Sequence, residues 1–145
     1  MAIPEPVAGL VIRYSYLWAE EYKRGREDGV KDRPCAVILV TAHEDNERVV
    51  TVLPISHTPP RDSTLAVEIP ITVKRRLRLD DERSWVVLTE ANRFVWPGPD
   101  LRPSTPGDLA SVAYGPLPFA LFEQIRTKFI AAIKARRASV VPRTE

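Results

Sequence analysis

The sequence has few of the residues from which disulfides and metal sites are built. Its 145 residues include one cysteine, Cys35, and two histidines, His43 and His57. A single cysteine cannot form an internal disulfide, which fits a reducing compartment such as the cytoplasm. No histidine or cysteine pair has zinc-ligand spacing, and the carboxylates at 80–82 lack the spacing of a calcium loop, so that run is interpreted as surface. We therefore expect no metal, no cofactor, and a buried Cys35 that acts as a small hydrophobic residue.

Long apolar segments and glycine-rich motifs are also missing. No segment approaches the roughly 20 apolar residues that span a bilayer, and the start of the chain lacks the basic and apolar stretches of a secretory signal. We therefore expect no membrane association. The 6 glycines form no phosphate-binding loop, no dinucleotide fingerprint and no G-x-S-x-G turn. Most common enzyme classes are therefore unsupported.

Charge of one sign is not in large excess, since the formal net charge is +2. The overall charge alone gives no reason to expect a nucleic-acid partner. The positive charges nevertheless cluster in two runs, namely Lys74, Arg75, Arg76 and Arg78, and then Arg126, Lys128, Lys134, Arg136 and Arg137. Such runs are usually solvated faces. They are also what a groove that follows the phosphates of a nucleic acid requires.

The composition and patterning predict one mostly-β domain over residues 1–145. Proline is abundant, with 14 residues, and it interrupts helices and central strands. Strands are predicted at 9–18, 35–41, 48–55, 65–69, 85–88, 92–96 and 112–115. A long helix is predicted at 119–137 and one or two helical turns at 72–79, with loops at 19–32 and 97–108 and loose ends at 1–8 and 139–145. The expected architecture is a small, strongly curved antiparallel sheet, closed into a barrel and capped by the C-terminal helix.

Three polar residues stand at predicted strand ends. Arg33 precedes the buried strand, and Ser56 and His57 follow the next one. Because the two strands are expected to form a hairpin, Arg33 and Ser56 should lie at the same end of the sheet. Each also has an ordinary structural interpretation. Arg33 can pair with Asp32 or Asp28, Ser56 can cap a turn, and a loop histidine is usually just exposed.

The order of segments resembles the PemK/MazF family of bacterial toxins. The resemblance rests on the sequence KDRPCAVIL at 31–39, VVTVLPIS at 49–56, and the C-terminal helix that follows. It implies a Src-homology-3-like antiparallel barrel of the PemK/MazF/CcdB type and a homodimer. It also implies cleavage of single-stranded RNA without a metal, and inhibition by a cognate antitoxin protein.

The resemblance also implies which residues form the site. The arginine before proline and the hydroxyl residue after Pro-x are central in that family, and they match Arg33 and Ser56, where members usually carry threonine. An acidic residue of the first loop would fall at Glu27 or Asp28. A later segment matches 89–93 and suggests Arg93 for RNA binding, although the usual Asp-Gln pair is missing there.

The proton acceptor and the base-binding residues are less closely defined. His57, or a carboxylate from Glu27 or Asp28, can accept the proton of the RNA 2′-hydroxyl. Thr58, the residue after His57, is predicted to bind RNA. Aromatic residues that could stack unpaired bases, if they are not in the core, are Tyr14, Tyr16, Tyr22 and Trp96.

Two other functions remain open on the same fold. One is a toxin or binding module that acts by binding a protein, as the gyrase-poisoning relatives of this barrel do. The other is a family member that binds RNA or DNA as a regulator without cutting it. The serine at position 56 and the missing Asp-Gln pair keep the second alternative open, whereas the Arg-Pro and Pro-x-Ser placement favours the nuclease.

Overall fold

A computed structural model describes residues 2–25, 31–43 and 45–143. The described chain is a mostly antiparallel sheet with three helices. The strands are β1 (Leu10–Tyr14), β2 (Arg33–Ala42), β3 (Arg48–Ser56), β4 (Ala66–Glu68), β5 (Trp85–Val87), β6 (Glu90–Trp96), β7 (Ala113–Pro116) and β8 (Ser139–Pro142). The helices are α1 (Ala19–Lys23), α2 (Ile71–Arg76) and α3 (Phe119–Lys134). No helix in these ranges is long and apolar enough to cross a membrane.

Strand β3 organises the sheet because it pairs with three neighbours. It forms the predicted hairpin with β2, with Cys35 opposite Pro54. Its first residues also pair with β6, where Thr51 faces Arg93, and its last two residues pair with β5. The sheet order is β4-β5-β3-β2-β1-β7, and β6 joins through β3. Pro54 lies inside β3, so the strand carries on to Ser56.

The sheet is buried on both faces, which explains why its central strands are continuously apolar. One core lies under α3 and includes Leu53, Ile125 and Phe129. The other lies on the opposite face and includes Val37 and Val52. Cys35 is fully buried there, as predicted, and burial raises the pKa of its thiol.

Two predicted irregular segments contain regular structure. The connection at 19–32 begins with α1, and the Glu21 carboxylate accepts a hydrogen bond from the Trp18 backbone N–H at 3.0 Å. The prediction of a loose tail at 139–145 is wrong for residues 139–142, because these form β8, which pairs in parallel with β6. The predicted surface loop at 97–108 also folds inward at Asp100 and Leu101, and Leu101 forms a bridge with Tyr14.

The C-terminal segment is fixed by a buried arginine. Arg143 is 7% exposed and donates hydrogen bonds to the Ser15 carbonyl at 2.8 Å and to Asn92 Oδ1 at 3.0 Å. A third hydrogen bond reaches the Tyr14 hydroxyl at 3.2 Å, and the Asp100 carboxylate lies 3.0 Å away. Burying a guanidinium requires such partners. This cluster therefore ties the end of the chain to β1, β6 and the loop before β7.

Candidate functional site

Arg33 begins β2 at the end of the sheet where β3 stops. Continuing the β2–β3 register by two residues places Arg33 opposite Ser56. The guanidinium lies over the Trp18 ring at 4.8 Å from the centroid, and its Nη1 is 3.5 Å from the Ile55 carbonyl. Its buried Nε has no hydrogen-bond partner among the described residues. An unsatisfied buried donor costs about 1–3 kcal/mol, so this nitrogen is a local cost to the fold.

The simple surface ion pair expected for Arg33 is not formed with Asp32. The Asp32 carboxylate instead lies 3.6 Å from Arg13 and 3.7 Å from Arg102. Asp28, the other proposed partner, lies outside the described residues. Within the described ranges, the Arg33 charge is therefore not neutralised by a direct carboxylate contact.

A cationic pocket of about 290 Å³ opens beside Arg33. Its charged lining residues are Lys31, Asp32, Arg33, His57, Lys74, Arg78 and Asp80. Five of these are basic residues, and Lys74 and Asp80 are paired with each other. Positive groups held in a concave site favour a phosphate or another anion.

A second pocket, of about 450 Å³, is largely apolar. Its lining residues include Trp18, Trp85, Pro59, Pro60 and Ser56. Arg33 lines the cationic pocket, and its guanidinium stacks on Trp18, which lines the second pocket. We call the two the cationic pocket and the tryptophan pocket.

His57 is oriented by a short chain of charged groups. Its Nε2 lies 2.8 Å from Asp80 Oδ2, and the other Asp80 oxygen is 2.5 Å from Lys74 Nζ. Lys74 is 1% exposed and also donates to Ser84 Oγ and to the Glu82 carbonyl. Partial burial of Asp80 opposes ionisation, but the Lys74 and His57 contacts outweigh it and lower the pKa of Asp80.

This arrangement selects one tautomer of neutral His57. A carboxylate can only accept hydrogen bonds, so Nε2 must carry the proton toward Asp80. The other ring nitrogen, Nδ1, is then left as an acceptor. The Nδ1 lone pair of His57 is therefore the one that faces away from Asp80.

The same cluster contains the only group of described residues with metal-ligand geometry. Ligand atoms of His57, Asp80 and Glu82 lie within 4.8 Å of one another. The buried Lys74 ammonium already places a positive charge against Asp80. A divalent ion at this position would meet that charge, so the cluster is better suited to orienting His57 than to holding a metal.

A second titratable carboxylate lies on the Trp18 side of Arg33. Glu90 Oε1 accepts hydrogen bonds from the Ala19 N–H at 2.8 Å and from the Tyr16 hydroxyl at 3.1 Å. Burial raises the pKa of Glu90, although the Ala19 hydrogen bond, Tyr16 and the charge of Arg33 act in the opposite direction. Glu90 is thus a second group that could exchange a proton near Arg33.

The predicted site residues fall into three sets. Arg33, Ser56 and His57 meet at one end of the sheet, and Thr58 lines the tryptophan pocket while its N–H donates to Ser56 Oγ at 3.1 Å. That bond is the turn contact expected for Ser56. Arg93 lies elsewhere, on β6 beside a separate groove that His43 and Arg143 also line. The remaining two, Glu27 and Asp28, are outside the described residues.

The aromatic residues of the site differ from those proposed for base stacking. Tyr14 and Tyr16 are 0% exposed and belong to the core. Trp96 is tied to the Pro4 carbonyl at 3.1 Å. The residues that line the pocket are Trp18 and Trp85. Their positions, one at the end of a predicted strand and the other at the start of one, could have suggested an edge location.

The interpretation of the carboxylates at 80–82 as surface is incomplete, because two of them contact His57. Asp81 does point away, toward Arg75 at 3.7 Å. Asp80 and Glu82, two residues apart, both reach His57, at 2.8 and 3.7 Å. The chain bends here, and the Glu82 N–H donates to Asp80 Oδ1 at 3.1 Å. An aspartate that accepts from the N–H two residues on is typical of a turn, and this is the signal that could have identified the segment.

No protein family, no curated protein and no solved structure matches this chain. The resemblance noted in the sequence therefore remains a hypothesis.

Proposed function

We propose that this protein is an endoribonuclease that cleaves single-stranded RNA and requires no metal ion for the reaction. The observation that carries the proposal is the placement of Arg33. Its guanidinium lines the cationic pocket and stacks on Trp18, which lines the tryptophan pocket, and the β2–β3 register places Arg33 opposite Ser56. A phosphodiester between two unpaired nucleotides presents the matching groups, an anion with an aromatic base beside it.

RNA supplies its own nucleophile, which reduces what the protein must provide. The 2′ oxygen attacks phosphorus and gives its proton to a base. The bond from phosphorus to the 5′ oxygen breaks, and that oxygen takes up a proton. The products are a 2′,3′-cyclic phosphate and a 5′-hydroxyl. The protein must align the strand, move protons and stabilise the extra negative charge on the phosphorus oxygens.

The residues at the end of β2 and β3 are suited to these three tasks. Arg33 offers a planar fork of donors to two phosphate oxygens. Ser56 keeps its hydroxyl hydrogen available for a third hydrogen bond, because it accepts, rather than donates, in its contact with Thr58. His57 Nδ1 is the proton acceptor in this scheme, with Asp80 as the residue that positions it.

The tryptophan pocket would hold a base next to the cleaved bond. Trp18 and Trp85 offer apolar ring surface, and the hydroxyls of Ser56, Thr58 and Thr89 lie among the lining residues. Stacking on an aromatic ring is worth roughly 1–3 kcal/mol per base and tolerates any base. The hydroxyls at the rim would then select among bases.

The wider biological role follows from the family resemblance. We propose a toxin of a toxin–antitoxin pair that acts in the cytoplasm as a homodimer, with a Src-homology-3-like barrel as its fold. Its cognate antitoxin would cover the RNA site with a segment that folds on binding. The alternative is a binding module on the same fold that cuts nothing.

The proposal is tested by incubating the purified protein with a long single-stranded RNA in EDTA and determining the ends of any fragments. We expect discrete fragments that carry 2′,3′-cyclic phosphate and 5′-hydroxyl ends. Intact RNA, with the protein folded and able to bind the strand, would favour the binding module. Cleavage that EDTA abolishes would show that the proposed chemistry is wrong.

Removing the Lys74–Asp80 pair should slow cleavage by about 10- to 100-fold, less than the 10²–10⁴ that a general base itself contributes. The double variant Lys74→Met/Asp80→Ala removes both partners, so that neither charge is left unpaired. His57 then loses the acceptor that fixes its tautomer.

The matched control is Arg75→Met/Asp81→Ala, which changes the same charges in the neighbouring exposed pair. Nitrogen-15 NMR of neutral His57 should report the Nε2–H tautomer in the wild type and the control, and a mixture of tautomers in the test variant. Equal cleavage rates and equal tautomer spectra in both variants would show that the pair does not position His57.

A further inference from the structure

Arg78 is a cation of the cationic pocket that the sequence did not assign to the site. It lies just beyond α2, is exposed, and lines the same pocket as Arg33 and His57. Of the other residues in the basic run, Lys74 pairs with Asp80, Arg75 faces Asp81, and Arg76 does not line this pocket. No carboxylate of the described residues forms an ion pair with Arg78. Its charge is therefore available to a ligand in the pocket.

The backbone at Arg78 is in a conformation that normally favours glycine. Its φ is 60°, and the Leu79 N–H donates to the Lys74 carbonyl at 2.9 Å, as expected where a helix ends in a left-handed residue. Arg136 ends α3 in the same way, with φ 57° and the Arg137 N–H bonded to the Ala132 carbonyl at 2.8 Å. The strain is common to both arginines, so it does not by itself indicate function. Their surroundings differ, because Arg136 lines neither the cationic nor the tryptophan pocket.

We propose that Arg78 binds a second phosphate of the single-stranded RNA, next to the phosphate that Arg33 holds. The inference rests on the proposed function for the identity of the ligand, and it deepens that function by giving the pocket two phosphate contacts. Consecutive phosphates of a strand are the anions that two cations in one pocket would bind together. Each such contact releases counterions, so it contributes to the salt dependence of binding.

The paired variants Arg78→Gly and Arg136→Gly separate binding from folding. Each removes one arginine from a left-handed position that glycine tolerates, so both should raise the midpoint of urea unfolding by similar amounts. Binding is measured by fluorescence anisotropy with a short 2′-O-methyl RNA strand, which lacks the nucleophile and cannot be cut. Arg78→Gly should weaken binding about tenfold at low salt and reduce the slope of log K against log salt by about 0.7. Arg136→Gly should leave affinity and slope unchanged.

The outcomes distinguish this inference from the proposed function. Equal affinities for Arg78→Gly and Arg136→Gly would overturn the role of Arg78, even if the wild type cleaves RNA. A wild type that does not bind the strand would overturn it as well. If the wild type binds the strand but cuts no RNA, and Arg78→Gly alone loses affinity, the phosphate contact stands and the nuclease proposal fails.

Discussion

Replacing Arg33 with alanine is expected to reduce the cleavage rate at least about 10²- to 10³-fold, the effect of removing one preorganised transition-state donor. The guanidinium lines the cationic pocket and stacks on Trp18, which lines the tryptophan pocket. Its removal loses that stacking contact, worth about 0.5–2 kcal/mol, which is less than the stability of a domain of this size. Circular dichroism and urea unfolding should show a folded variant, and single-turnover cleavage of an RNA oligonucleotide gives the rate.

Two further variants make this result specific. Arg33→Lys keeps the charge but loses the planar fork, so it should recover only part of the activity. Arg48→Ala removes the same charge from an exposed position at the opposite end of β3 and should cut RNA like the wild type. Equal loss of activity in Arg33→Ala and Arg48→Ala would mean that only net charge matters. Full activity in Arg33→Ala would exclude it from the reaction.

The second large effect is on stability. Arg143→Ala should lower the free energy of unfolding by about 3–5 kcal/mol, because it removes one partner from a buried ionic cluster. The carboxylate of Asp100 and the side-chain oxygen of Asn92 would lose a buried donor. Since domains of this size are stable by only about 5–15 kcal/mol, the loss should be plain in a urea titration.

Arg48→Ala again serves as the control, since a substitution at an exposed position usually changes stability by no more than about 0.5 kcal/mol. An unfolding midpoint of Arg143→Ala equal to that of Arg48→Ala would show that the C-terminal strand is not held by this cluster.

The parts of the fold that could be predicted are those with a local pattern. The continuous apolar run after Pro34 defines a strand buried on both faces, and the short separation from the next run defines a hairpin. The spacing of Ile125 and Phe129 defines the buried face of α3. Strand β8 was missed because four residues carry little periodicity and their pairing with β6 depends on distant sequence.

The parts of the candidate site that could be predicted are likewise those with a local pattern. Arg33 and Ser56 follow from the hairpin, which brings the ends of two adjacent strands together. Lys74 could not be identified, because a lysine in a basic run is ordinarily solvated. It is buried here because the turn before β5 supplies the oxygens of Asp80, Glu82 and Ser84. The sequence around Lys74 does not show that these three oxygens meet its ammonium group.

Arg93 shows a limit of matching by segment order. Its segment was matched to the site by its order in the family pattern. In the sheet, Arg93 pairs with Thr51, five residues before Ser56 on β3, and lines another groove. The order of segments therefore identified the strand that carries Arg93. It did not identify the face or the end of the sheet at which the Arg93 side chain lies.

The central claim, that the RNA 2′-hydroxyl attacks a phosphate held by Arg33, is tested most directly with a modified substrate. Once a cleavage position is mapped, the nucleotide on its 5′ side is replaced by its 2′-deoxy form in an otherwise identical RNA oligonucleotide. The proposed mechanism predicts that the modified strand still binds but is not cut at that position. Cleavage of the modified strand at that position, leaving either a 3′-phosphate with a 5′-hydroxyl or a 3′-hydroxyl with a 5′-phosphate, would contradict it.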